Sequence, residues 1–414
     1  MNVWYLSAHD QPRGKSARTY DFALELVRLG HSVTFFTNSY DHWTHEEILP
    51  AGERWRVEEI DGIRVVWLRT FHYSGSGWRR GVNMVTNAYR ALQAARTLAD
   101  APDVVVGPSV PLGTGWAAAR IARRRGAAFI FEVRDVWPAA LVDDGGLSRH
   151  SPVYHAFRSL EKSLYRDAHR ICATMPFVAC HVEESGGDPA KVRWVPNGVN
   201  RERFAGFPPY DGGRPDRVVV MYVGGFGVAH DVDSLVSAAA ILHREAPEAY
   251  RFVIVGDGPK KAGCVAAARA QGLTGVEFRD SVPKADVPRL QTEADVLVAA
   301  VTDSQSYRFG LNLNKVFDYF ASGRPVVFSG NAPNDPIRES QAGFTVPPEL
   351  PAAMADALRK ILAMSPPERR AMGERGRVYV ERNYDMGVLG RRMEQLMLEA
   401  VGEARRDGRA LRRT

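Results

Sequence analysis

Cysteine is scarce in this chain. Its 414 residues contain three, Cys172, Cys180 and Cys264, an odd number at spacings that match no metal motif. A disulfide framework is therefore not expected, and a reducing compartment is. No His/Cys cluster has zinc-site spacing, so no metal site is predicted. No apolar run approaches the roughly 20 residues that span a bilayer. The opening MNVWYLSAHDQPRGK lacks a basic region followed by an apolar one and does not read as a signal peptide. The expectation is a cytoplasmic protein with at most peripheral contact at the inner membrane face. Three phosphate or catalytic signatures are also missing: G-x-x-x-x-G-K-[ST], G-x-S-x-G, and G-x-G-x-x-G in the first turn. Strong charge imbalance is missing too. The net charge is +6, with 45% hydrophobic and 25% charged residues, as in soluble globular proteins. Basic residues are dispersed and no nucleic-acid motif appears, so no nucleic-acid partner is expected. The mild excess, to which the last stretch contributes seven Arg against four acids, suits an anionic small ligand or a membrane surface.

What the chain does have is alternation. NVWYLSA reads as a buried strand, ARTYDFALELVRLG as a helix started by Ser16 and stopped at Gly30, and HSVTFFT as the next strand. PDVVVGPS and AAFIFEVRD follow, with helix LGTGWAAARIARRRG between them. After the long helix SPVYHAFRSLEKSLYRDAHR, the polar PPYDGGRPDR (208–217) reads as a linker. A second series then runs from VVVMYVGGFG through YRFVIVGDGP, VEFRDSV and DVLVAAV. This predicts an α/β chain of two Rossmann-like, doubly wound parallel-sheet domains. Ligands then belong at the carboxyl ends of the strands, in a cleft between facing sheets. The division expected is 1–196, 197–385, and a C-terminal piece 386–414.

The stretch SYRFGLNLNKVFDYFASGRPVV (306–327) is the leading candidate site. Asn312 or Asn314 is placed to cap a helix whose bare N–H groups and dipole favour an anion. Lys315 adds a cation there, and Asp318, three residues on, can accept hydrogen bonds from ribose hydroxyls. An ordinary capped helix with a solvated Lys–Asp pair has the same spacing. In YVGGFGVAHD, Gly224, Gly225 and Gly227 permit close backbone approach to phosphate, and His230 stands within reach of an anion or serves structure alone. VGDGP (255–259) reads as a tight turn. Arg134 and Asp135, in FEVRDVWP, stand just past a strand, as ligand contacts or as a pair satisfied by each other. Asp231 and Asp233 form a D-x-D, which helix capping explains better than a metal. The helical RRGVNMVTNAYRALQAARTLAD offers either plain packing against the sheet or a basic amphipathic face for a membrane.

These motifs, in this order with VPNGV and VEFRDSVP, resemble glycosyltransferase family 4 from end to end. The nearest likeness is to the branch that transfers N-acetylamino sugars in bacterial surface-polysaccharide assembly. The resemblance implies a GT-B fold and a retaining, metal-independent transferase with no cofactor beyond its nucleotide-sugar donor. The donor implied is a UDP-sugar such as UDP-GlcNAc. Its acceptor hydroxyl would belong to a lipid-linked saccharide or a natural-product intermediate. The resemblance further implies that the C-terminal helix crosses back to the first domain and that the domains close on the donor. The family's Glu-x7-Glu falls on Gly310 and Asp318, so one carboxylate is replaced by glycine. Its diphosphate-binding Arg and Lys fall on Gly225 and His230, leaving charge to Lys315 and Arg308. Its first-domain His falls on Arg134, and its first glycine-rich loop is reduced to Gly14 and Lys15. Backbone around Val282 and Pro283 matches the base-binding segment. Catalytic roles fall on Arg134, Asp135 and Lys315, with Asp135 the candidate acid should a nucleophile be needed. Donor contacts fall on Gly14, Gly225, His230, Val282, Arg308, Gly310, Asn314, Lys315 and Asp318. A GDP-sugar transferase, a UDP-N-acetylglucosamine 2-epimerase on the same fold, and a non-catalytic sugar-nucleotide binder remain as alternatives.

Overall fold

Most strands in the chain are apolar along their length and buried on both faces, the mark of parallel sheets. The computed structural model describes residues 1–12, 18–41, 44–73, 75, 77–143 and 146–411. Gly14, Lys15 and the Ser16 cap lie outside the described residues. The chain divides into two units, Met1–Pro196 with Met386–Thr414, and Asn197–Asp385.

The first unit holds an eight-stranded sheet. Its strands are β1 (Asn2–Leu6), β2 (Ser32–Asn38), β3 (Trp55–Ile60), β4 (Ile63–Leu68), β5 (Val104–Pro108), β6 (Ala128–Val133), β7 (Arg170–Ala173) and β8 (Val192–Trp194), in the order β3-β4-β2-β1-β5-β6-β7-β8. All neighbours pair in parallel except β3 with β4. That antiparallel hairpin turns at Asp61 and Gly62, both at positive φ. The strand–helix alternation read from the sequence does not include this hairpin. The helices are α1 (Arg18–Arg28), α2 (Trp78–Thr97), α3 (Leu112–Arg125), α4 (Ala139–Asp143), α5 (Pro152–Asp167) and α6 (Val178–Glu184). Ser151 caps α5 by accepting from Val153 N–H, and Gly126 ends α3 in the left-handed conformation.

The second unit holds β9 (Val218–Val223), β10 (Tyr250–Val255), β11 (Val276–Arg279), β12 (Val296–Ala300), β13 (Val326–Ser329) and β14 (Gly343–Val346), all parallel, in the order β11-β10-β9-β12-β13-β14. Helices α7 (Val232–Glu245), α8 (Lys261–Ala270), α9 (Val287–Gln291), α10 (Asn314–Ala321), α11 (Pro336–Ser340), α12 (Pro351–Ala363) and α13 (Pro366–Asn383) cover it. Val218, Val220 and Tyr222 of β9 join the core under α7 and α12, while Met221 joins the core under α10. The order reverses between β9 and β12, which puts the switch point at the loop after β9 and the loop before α10.

The last helix, α14 (Met386–Leu411), belongs to the first unit. Met386, Leu389, Met393, Leu396, Met397 and Ala400 recur at helical spacing and bury against Tyr20, Ala23 and Leu26 of α1. Gly390 lets the two helices touch, since a Cβ there would lie 2.9 Å from Glu25 Cβ.

The predicted linker 208–217 is not one. Tyr210 is buried, and the guanidinium of fully buried Arg369 donates to the carbonyls of Arg214 and Pro215 as well as Ile361 and Leu362. Its Pro/Gly composition reflects a fitted path over α13: Gly212, at φ 105°, passes so close to Pro366 O that a Cβ would lie 2.1 Å away. The chain instead leaves the first unit at residue 196.

Candidate functional site

The second unit's candidate site is assembled at the end of β9 and the start of α10. Tyr319 fixes the two together: its hydroxyl accepts from Val223 N–H and donates to Val223 C=O, both at 3.0 Å. One turn earlier on α10, Lys315 Nζ donates to the Tyr222 hydroxyl at 2.9 Å, and that hydroxyl donates to Gly225 C=O at 2.6 Å. Gly224 leaves room for the amine. A Cβ there would stand 2.5 Å from Lys315 Nζ. Beneath the loop, Gly256 and Gly258 of the VGDGP turn lie so close to Gly224 and Phe226 backbone that a Cβ would meet them at 1.8 and 2.8 Å. The turn is thus a close-packed floor for the glycine loop.

Electrostatically the site is unbalanced. Burial alone lowers the Lys315 pKa to about 7. Burial, then the charges of Lys315 and Lys260, lower His230 to about 4. His230 is therefore neutral at physiological pH and offers a ring N–H in place of the cation its position suggested. Its Nδ1 is buried with no hydrogen-bond partner among the described residues. Asp318 is half-buried. Burial raises its pKa, with Lys284 and Arg203 opposing, and no described group hydrogen-bonds its carboxylate. Lys315 and Asp318 do not pair with each other: the lysine turns to Tyr222.

The helix start is bare, though not as expected. Leu313 is the N-cap of α10, without a side-chain cap bond. Asn314 is exposed in the first turn, and Asn312 instead accepts from Asn197 N–H at 3.0 Å. Asn334 holds the approach by accepting from Leu311 N–H at 2.5 Å. Neither asparagine caps because the loop needs Asn312 to tie down residue 197, a long-range demand that local spacing cannot reveal.

In the first unit, Arg134 follows β6. It pairs with Asp10, Nη1 to Oδ2 at 2.8 Å and Nη2 to Oδ1 at 3.3 Å, and not with Asp135. The pair holds Arg134 charged, against the cost of burial. Asp10 is fully buried and also accepts from Thr19 N–H at the start of α1. The backbone carbonyl of exposed Asp135 accepts from Ser109 Oγ at 2.8 Å and Trp137 N–H at 2.9 Å. Behind them, Glu132 is fully buried between the Tyr5 hydroxyl and Arg18, whose guanidinium also donates to Val195 and Pro196 carbonyls.

Residues 13–198 match the family described as Glycosyl transferase 4-like domain, and residues 217–364 the family described as Glycosyl transferases group 1. The chain belongs to the family 4-like glycosyltransferases. It is 23% identical over 273 residues to the probable glycosyltransferase WbjE of Pseudomonas aeruginosa, covering 63% of this chain and 65% of that one. It is 27% identical over 180 residues to alpha-D-kanosaminyltransferase of Streptomyces kanamyceticus, covering 43% and 45%. Both matches span less than two thirds of the relative's length. A solved structure described as trehalose-6-phosphate from E. coli bound with UDP-2-fluoro glucose superimposes with a TM-score of 0.71 at 13% identity, over 96% of this chain and 99% of that one. The GT-B fold is thereby shared.

In this glycosyltransferase, then, Lys315, Gly225 and His230 gather around Tyr222, with Asp318 on the adjoining turn. Val282 packs half-buried against the α10 core, and Arg308 is exposed with its guanidinium 4.6 Å from the Phe309 ring. Gly310 stands at φ 115°, so a glutamate in its place would be strained as well as absent. Asp231 caps α7 through Ser234 N–H and also accepts from Glu349 N–H, while Asp233 pairs with Lys260. Sequence reasoning missed Tyr222, Tyr319 and Asp10. The tyrosines carried a usable signal: one is the next-to-last residue of β9, two before Gly224, and the other lies four residues after Lys315.

Proposed function

We propose that this protein transfers a sugar, of the N-acetylhexosamine type, from a UDP-sugar to a hydroxyl acceptor, with retention at the anomeric carbon and without a metal. The observation that carries the donor reading is the desolvated Lys315 amine at the uncapped start of α10. A diphosphate there would restore the lysine's charge and meet the free N–H groups and the positive helix end. Asp318, whose carboxylate has no hydrogen-bond partner among the described residues, suits the ribose hydroxyls, and the segment at Val282 the base. The bound UDP-2-fluoro glucose of the structural neighbour supports UDP, and the kanosaminyl transferase's name supports an amino-type sugar.

In the reaction, the bond from C1 to the diphosphate oxygen breaks as the bond from C1 to the acceptor oxygen forms on the same face. The acceptor's proton passes to the departing phosphate oxygen. Lys315 and the helix start stabilise the charge that develops on the diphosphate. Arg134, held charged by Asp10, is the first unit's candidate catalytic cation, and no covalent nucleophile is needed. The acceptor is a lipid-linked saccharide or a natural-product intermediate. A thermal-shift panel of UDP, GDP and their sugars tests the donor. UDP compounds should raise the melting temperature and Lys315→Ala should abolish the rise; a panel without any shift, or an equal shift in the variant, would sink the site. Turnover should persist in EDTA, and UDP-N-acetylglucosamine alone should yield no epimer.

A further inference from the structure

Tyr222 is fully buried, and its ring meets Phe226 edge-on with 6.0 Å between centroids. Phenylalanine would fill that place in the core equally well. The hydroxyl is therefore an addition to the packing, and a buried hydroxyl must find partners. It has two, from different elements. One is Gly225 C=O in the loop after β9, and the other is Lys315 Nζ in the first turn of α10.

The lysine is the costly side of this contact. A lysine that served the fold alone would lay its stem on the surface and keep its amine in water. Lys315 instead brings Nζ to 2.9 Å from the hydroxyl oxygen and 4.4 Å from the centroid of the same ring. Its neighbours are cut to fit. A Cβ at Gly224 would stand 2.5 Å from the amine and 3.1 Å from the hydroxyl, so glycine keeps both in place. Tyr319, one turn along α10, bonds both polar groups of Val223 and so fixes the helix to the strand that carries Tyr222. The titratable groups around the pair are His230, Lys260, Cys264, Tyr307, Asp318 and Tyr319. Among the described residues no carboxylate pairs with the amine, and burial is what moves its pKa. The phenol is thus the polar group that meets the amine where charge compensation is missing.

We infer that Tyr222 is a positioning residue, whose hydroxyl holds the Lys315 amine against the glycine loop, in place for the donor diphosphate. The inference rests on the donor reading above and adds to it a residue that acts through Lys315. Two consequences follow from the geometry. Without the hydroxyl the amine has nothing to fix it beside the loop. The ammonium form also loses a hydrogen bond made to its charge, so protonation becomes harder.

The test is the pH dependence of UDP binding, by calorimetry on the full chain. The Lys315 side chain is followed in the nucleotide-free protein by NMR of 13C-labelled lysine, its resonance identified by its loss in Lys315→Met. Tyr222→Phe keeps the ring and its packing while removing the hydroxyl. In this variant Lys315 should lose its proton about one pH unit lower than in the native protein, and UDP affinity above neutrality should fall about tenfold. Tyr319→Phe also removes a buried hydroxyl, but one bonded to backbone. It should lower the melting temperature and leave the lysine's titration where it was. A native titration and native affinity in Tyr222→Phe would overturn the inference. So would an equal displacement of the titration in Tyr319→Phe, which would mark both effects as loosening of the fold. The two readings fail separately. If Lys315→Ala binds UDP as tightly as the native protein, the donor reading falls and this inference with it. If Lys315→Ala loses UDP while Tyr222→Phe behaves as the native protein, the inference falls alone.

Discussion

Lys315 and Asp318 are both held away from water with no opposite charge in contact to offset it. Each therefore costs the free protein stability, in opposite pH windows. The folded Lys315 loses its proton near pH 7, whereas the unfolded lysine keeps it to about 10.4. Its penalty is full below pH 7 and fades as pH rises through that interval. Asp318, its pKa raised, penalises the fold increasingly as pH rises past the ordinary carboxylate value. Lys315→Met and Asp318→Asn should consequently keep or raise the melting temperature at pH 7 while weakening UDP binding about tenfold or more. A fall in both quantities together would mean that the residues serve the fold. If diphosphate requires the charged lysine, UDP affinity should fall above pH 7 by up to about tenfold per pH unit. Calorimetry in buffers of different ionisation enthalpy should register the proton taken up, and Lys315→Met should flatten the profile.

At the level of the element, the loop after β9 works because it is short of side chains. Gly224→Ala keeps an allowed backbone, but its methyl displaces the Lys315 amine, the mobile end of a flexible chain. The expected result is a near-normal melting temperature with UDP affinity reduced at least fivefold. Asp10→Asn should act in the other direction, on stability. It takes from Arg134, only 21% exposed in its side chain, the carboxylate that it hydrogen-bonds, at a cost of about 3 kcal/mol by denaturant titration. The two elements also mark what the sequence could tell. Alternating strands and helices, the glycine turn and the Lys315/Asp318 spacing are local patterns, readable from a few neighbours. Asp10 and Arg134 are 124 residues apart, and Asn312 is 115 from its partner Asn197. Pairings of that separation leave no trace in composition or period. The segment 208–217 misled for a related reason: its glycines are there for close packing, not for slack.

For the whole molecule, the main asymmetry is in the path of the chain. The second unit is one continuous segment, whereas the first is closed by α14, which comes last. Ending the chain at Asp385 should unmask Tyr20, Ala23 and Leu26 and unfold the first unit while leaving the second formed. All eight tryptophans lie in residues 1–196, so their fluorescence reports on the first unit alone. The truncated chain should show a red-shifted emission with much of its far-ultraviolet circular dichroism retained; native emission would refute the dependence.

That same helix sets a timetable for synthesis. Most of the first unit emerges from the ribosome before the second, yet its α1 surface has no cover until α14 is made. At about 5–20 residues per second, the intervening stretch takes roughly 10 to 40 s to translate. The unit encoded second can therefore close first, and through that interval the nascent first unit presents an unfilled apolar groove. Nascent chains stalled before residue 386 should be strong clients for a holdase, and chains released after α14 should not.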